Sequence, residues 1–122
     1  MRVLHVYKSY FPETHGGLEE TIRQICRGTS ARGVMNTVLT LSRAPGAPVL
    51  ERDEATVIRY RRDLDIASCG MSVSALLAFR EHAAAADIVH YHYPWPFGDL
   101  MHLLGRVRTP SMVTYHSDIV RQ

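Results

Sequence analysis

Gly16 and Gly17 follow the apolar run Val3-Leu4-His5-Val6-Tyr7 and stand where a helical pattern opens near Leu18. Backbone without β-carbons at a helix start lets a ligand approach N–H groups whose dipoles already favour negative charge, which is a means of holding phosphate. The pair is not the three-glycine dinucleotide fingerprint, nor a P-loop with Lys and Ser/Thr after its last glycine, and a plain turn would look the same. His90 and His92 are two apart on an apolar segment, so they share one face, a spacing found in metal hydrolases. A metal would need a further ligand, and barrels using this pattern need about 200 residues or more, so no metal is expected. The other reading packs His90 between strand and helix and turns His92 toward a cleft. His116, Ser117 and Asp118 have the residue types of a hydrolase triad, but immediate neighbours cannot converge in that geometry. Ser117 and Asp118 suit a helix cap, and His116 suits direct ligand contact. Tyr93, Trp95 and Phe97 alternate with prolines, either as an aromatic rim able to stack on a ring or as a cap over the fold.

The elements that must position these residues are legible from periodicity. Residues 2–7 read as a strand, apolar apart from His5, as suits a central strand covered on both faces. Lys8 to His15 is a loop, and a helix runs from Leu18 to about Arg32, with Glu19 and Glu20 in its first turn and Gly33 placed to end it. A strand over Met35–Leu41, a surface connection over 42–55 and a strand over Thr56–Tyr60 follow. Ser72 or Ser74 could cap a helix that continues to Ala86. Asp87–His92 is a strand; a helix carries Leu100, Met101, Leu103 and Leu104; Met112–Tyr115 is the last strand, with a further helix starting at Ile119. Alternating strands and helices predict an α/β fold, an open parallel Rossmann-like sheet with helices on both faces. In such sheets ligands bind beyond the carboxyl ends of strands where strand order reverses. The segments 7–17, 92–98 and 116–118 lie at such ends.

Composition narrows the classes. A chain of 122 residues that is 46% hydrophobic and 21% charged fits one globular domain. A net charge of +2 gives no case for nucleic acid, and Arg59, Arg61 and Arg62 read either as an exposed strand end or as a surface for an anionic acceptor or a membrane. The start lacks the long apolar region of a signal peptide, and no apolar run reaches the roughly 18 residues of a membrane span, so a cytoplasmic protein is expected. Cys26 and Cys69 have neither metal nor redox spacing and read as buried thiols.

Three loop motifs together resemble the retaining nucleotide-sugar glycosyltransferases of family 4, which have two facing Rossmann-like domains in the B-type fold. They are Tyr10-Phe11-Pro12 with His15-Gly16-Gly17-Leu18-Glu19, then Asp87-Ile88-Val89-His90-Tyr91-His92-Tyr93-Pro94, then Val113-Thr114-Tyr115-His116-Ser117-Asp118, in the family's order across nearly the whole chain. The resemblance implies an amino-terminal, acceptor-side domain over 1–122, truncated, with the carboxy-terminal nucleotide-sugar domain absent. It places Gly16 and Gly17 on the donor diphosphate and His116 on the transferred sugar. It puts His15, Glu19, His92, Tyr93, Trp95, Ser117 and Asp118 on the acceptor and sugar side. It implies hexose transfer, mannose being the nearest sugar, to a lipid-linked or polysaccharide acceptor, with no metal or other cofactor, an inactive fragment, and peripheral membrane association of the whole protein. The competing expectations are a stand-alone flavodoxin-like domain binding a phosphate ligand or acting as a regulator, and a metal-dependent hydrolase.

Overall fold

The computed structural model describes residues 1–12, 14, 16–43, 46–66, 69–93 and 95–115, with the side chains of 64–66 and 69 left aside. In chain order the elements are β1 (Arg2–Val6), α1 (Gly17–Ser30), β2 (Met35–Ser42), β3 (Val49–Glu51), β4 (Thr56–Arg61), β5 (Leu64–Ile66), β6 (Cys69–Met71), α2 (Val73–Ala85), β7 (Ile88–Tyr93), α3 (Pro96–Leu104) and β8 (Ser111–Tyr115).

The main sheet has the order β3-β4-β2-β1-β7-β8. All its neighbours are parallel except β3 with β4. From β1 the chain winds through α1 to β2 on one side, and from β7 through α3 to β8 on the other, so the winding reverses between β1 and β7. Right-handed crossovers then require α1 on one face and α2 with α3 on the other. The contacts agree: Asn36 donates to the Cys26 carbonyl of α1, while Tyr91 meets Phe79 of α2 and bonds His102 of α3. The expected Rossmann-like sheet with helices on both faces is therefore present.

Three features depart from the sequence reading. The connection over 42–55 contains β3, a short antiparallel edge strand held by Val49, Leu50 and Glu51 opposite Ile58, Val57 and Thr56. The two short strands β5 and β6 form a separate antiparallel hairpin. Segments of three residues are too short to show a period of two, which is why periodicity passed over them. α3 also begins earlier than its apolar residues suggested, with Pro96 in its first turn, where a missing N–H has no helical partner to lose.

α1 buries Glu19, Ile22 and Cys26, and α2 buries Ala75, Phe79 and Ala83, the i, i+3 and i+4 spacing of one helical face. Gly33 follows α1 with φ 89°, the left-handed conformation that suits glycine just past a helix end. Ser72, not Ser74, caps α2: its Oγ accepts the Ala75 N–H at 3.2 Å. Trp95 and Phe97 are buried with Tyr91 and Met101, so these aromatics cap the sheet. At the β8 end Met112, Val113 and Tyr115 are exposed.

Removing the cap separates the two serines. Ser72→Ala should lower unfolding free energy by about 1 kcal/mol, whereas Ser74→Ala should leave it nearly unchanged, as read from denaturant midpoints; equal losses would contradict the assignment.

Candidate functional site

Because β1 and β7 are adjacent, the segments leaving their carboxyl ends start side by side, and the first of them leads to Gly16 and Gly17 at the reversal between β1 and β7. α1 starts with Gly16 as N-cap in extended backbone, a residue with no side chain to make a cap bond. Both glycines are exposed. The first amides of a helix have no partner within it, and Gly16 has no side chain to cap them, so among the described residues they are oriented donors that start beside the Glu19 carboxylate.

The two glycines differ in what surrounds them. A β-carbon on Gly16 would lie 2.5 Å from Glu19 Oε1, so Gly16 makes room for that carboxylate. A β-carbon on Gly17 would meet nothing within 4 Å. Nothing among the described residues demands glycine at 17. Glu19 itself is buried and accepts from Ser9 Oγ at 2.8 Å, tying the loop after β1 to the first turn of α1.

Beneath the loops, on the α1 face, lies a row of polar side chains that periodicity did not foresee as a unit. Parallel register sets His5 beside His90, and His92 beside Thr114. Asn36 Nδ2 is 3.2 Å from the Cys26 carbonyl and 3.0 Å from Thr29 Oγ1, so its Oδ1 faces His5 Nε2 at 3.0 Å. His5 therefore carries its proton on Nε2 and donates it to Asn36. Its Nδ1 is left as an acceptor, and His92 Nε2–H donates to it at 3.1 Å. The chain of bonds fixes both tautomers and joins α1, β2, β1 and β7. His90 Nε2 lies 2.6 Å from Thr114 Oγ1, extending the row to β8. The available signal was a polar residue at the same alternate positions in neighbouring apolar strands: His5, Asn36, His90 and His92.

His92 is 1% exposed and His5 equally so. The ring nitrogens of His5, His90 and His92 gather within 4.8 Å of one another. Yet His90 and His92 stack at 4.1 Å with planes 27° apart, which runs their in-plane lone pairs side by side, and the His5–His92 bond uses two of the nitrogens a cation would need. The donor set is thus organised for hydrogen bonding. Burial pulls the His5 pKa down to about 4, with charge on His90 adding to the depression and the Asn36 bond opposing it.

Of the other residues expected at the site, Tyr93 is half-buried and its hydroxyl donates to Asp99. Trp95 is 1% exposed and its indole N–H donates to the Gly70 carbonyl at 2.9 Å, so a cap over the sheet is the role the structure supports for it. His15, His116, Ser117 and Asp118 lie outside the described residues. Arg59 binds the Ala47 carbonyl through Nε and Nη2 at 3.1 and 2.6 Å, while Arg61 is exposed. Cys26 is buried, and burial pushes its thiol up to about 12, as for an inert core group. The Cys69 side chain is outside the described part. No helix among the described residues is long and apolar enough to cross a membrane.

A largely parallel open sheet with helices on both faces and a switch point between β1 and β7 defines an α/β domain of Rossmann-like class. The chain belongs to the family of glycosyl transferase 4-like domains, whose model matches residues 16–122. It is 53% identical over its full length to the D-rhamnosyltransferase WbpZ of Pseudomonas aeruginosa, covering 32% of that protein. It is 42% identical to the O-antigen chain mannosyltransferase C of Escherichia coli, covering 33%. The chain thus spans about a third of the length of these curated relatives. A solved sucrose-phosphate synthase from Thermosynechococcus elongatus superposes with TM-score 0.67 over 99% of this chain and 35% of that one, at 17% identity, a likeness of fold.

The buried imidazole row makes acid sensitivity predictable. His5 takes a proton near 6.5 when unfolded and near 4 when folded, so below 6.5 the unfolded state binds more protons and stability falls as pH falls. The loss accumulates between those values to about 3 kcal/mol, and His82, also lowered by burial, acts in the same direction. Denaturant titrations from pH 7 to 4 should show this slope, and His5→Gln should flatten it; an unchanged slope would remove His5 as its source.

Proposed function

We propose that this chain is the amino-terminal, acceptor-side lobe of a retaining glycosyltransferase that moves a hexose from a nucleotide sugar to a lipid-linked or polysaccharide acceptor. The observation that carries this reading is the uncapped, exposed glycine start of α1 at the reversal between β1 and β7, in a chain of this family. D-rhamnose is 6-deoxy-D-mannose, so the names of the two relatives converge on a donor sugar of manno configuration.

Sugar transfer with retention builds positive charge at the anomeric carbon and negative charge on the departing diphosphate. Preoriented amides at Gly16 and Gly17 would meet that growing charge without reorganising, and one such donor is worth about 3 kcal/mol. In this scheme His116 orients the sugar and supports its ring or hydroxyls. His15, Glu19, His92, Tyr93, Ser117 and Asp118 form the surroundings of the sugar and acceptor, with Glu19 and His92 acting from beneath through the loop and the strand end. The nucleotide pocket belongs to a second lobe, so the 122 residues alone would not turn over. The reaction so drawn calls on no metal or cofactor: the amides take the role a cation would have on the diphosphate. The proposed setting is cytoplasmic, with the complete protein at the inner membrane face, where it meets a lipid-linked acceptor. A stand-alone regulatory domain is disfavoured by membership of this family and by the absence of paired acids after β1 and β2, which end in Val6 and Ser42.

In the complete protein, Gly17→Val should reduce turnover by roughly 100-fold or more while leaving the melting temperature unchanged, because no atom lies within 4 Å of the added carbon. Unaltered turnover would remove the phosphate role. His116→Ala should lower kcat more than it weakens nucleotide binding; equal losses in both would argue against contact with the sugar.

A further inference from the structure

A second set of groups suited to an anion lies beside the first and is used by no step above. Phe11, Pro12, Gly16, Glu20, Arg23 and Arg52 line a cavity of about 370 Å³ next to the start of α1. Arg23 Cζ is 4.7 Å from the centroid of the Phe11 ring, and Arg52 Cζ is 5.6 Å from the same centroid. One buried aromatic ring therefore holds two guanidinium groups within about 10 Å of each other, close to a Debye length in physiological salt.

Among the described residues each arginine has one acidic partner, and neither is saturated by it. Arg23 Nη2 bonds Glu20 Oε1 at 2.5 Å, and Arg52 Nε bonds Glu54 Oε2 at 2.8 Å. The Arg23 Nε–H is buried and has no acceptor among the described residues. A guanidinium has five N–H donors in a planar fork that matches phosphate oxygens, so among the described residues most of this capacity is unused. Glu54 lies under Arg52 and is shared with the Tyr10 hydroxyl at 2.7 Å, while Glu20 is also held by Gln24. Of the charged residues that line the cavity, two are cationic and one anionic, and Gly16 extends the lining to the α1 terminus.

We propose that Arg23 and Arg52 form a clamp for a phosphate or diphosphate group, separate from the Gly16–Gly17 amides, and that on the transferase reading, on which this rests, the group belongs to the acceptor. Clamp and amides sit on the same lobe, and with the amides taken by the donor the two arginines are left for the acceptor. A lipid-linked sugar bears such a group next to its first residue, and stacking on Phe11 keeps both forks oriented before it arrives, lowering the cost of ordering them on binding.

The test uses the complete protein and two acceptors with the same sugar, one carrying a diphosphate group and one a neutral alkyl group. Arg23→Gln, on the half-buried flank of α1, should raise KM for the diphosphate acceptor about tenfold and leave KM for the neutral acceptor and the donor unchanged. Arg52→Lys, which keeps the charge but loses the fork, should give a smaller rise in the same direction. A rise in donor KM instead would keep the clamp and assign it to the donor phosphates, and no rise in either would overturn it. If the complete protein transfers to neither acceptor, the transferase reading fails separately, and calorimetry with inorganic pyrophosphate judges the clamp. Saturable binding weakened about tenfold by Arg23→Gln supports it, and binding that is absent or equal in both proteins rejects it.

Discussion

The reversal of winding between β1 and β7 is the constraint from which the rest of this lobe follows. Two adjacent parallel strands whose connections leave in opposite directions create a crevice at their carboxyl ends that no crossover covers. The loop of Gly16 and Gly17 leaves β1 at that point, and the aromatic segment leaves β7 beside it. The strand pair is also fastened from within: Asn36, His5 and His92 hydrogen-bond across β2, β1 and β7 under the crevice. Buried polar groups stabilise only when every member has a partner, and here the Asn36 amide settles the direction of each bond that follows.

This arrangement separates two tasks. The imidazole row is internal, burial holds His5 neutral, and the row is suited to fixing strand positions and ring orientations through its hydrogen bonds. The groups proposed to meet an anion are at the surface: the amides at the start of α1, and two arginines over Phe11 beside them. On the proposed reading a ligand carrying phosphate would meet fixed donors, while His5 beneath stays neutral above about pH 6.5.

Much of this was legible in the residues because helix and strand periods differ. The runs Val3–Tyr7, Met35–Leu41 and Asp87–His92 are long enough to show burial on both faces, and the parallel sheet follows from the helices between them. Gly16 and Gly17 were visible as a place where side chains are missing, though only the structure shows that Glu19 explains the first and nothing internal explains the second. The short strands β3, β5 and β6 lacked the length for a pattern. The pairing of His5 with His92, 87 positions apart, depends on register, which a single sequence does not display. Trp95 could be rim or cap by its neighbours alone; its indole bond to Gly70 makes it a cap.

The central claim is that the first amides of α1 are aimed at a diphosphate, and a crystal structure of the complete protein with a nucleoside diphosphate sugar tests it most directly. The account predicts phosphate oxygens within about 3 Å of the backbone nitrogens at Gly16 and Gly17, with the glycine loop facing the space between two lobes. A bound donor whose phosphates lie elsewhere, with that loop turned away from the crevice or buried against protein, would contradict it.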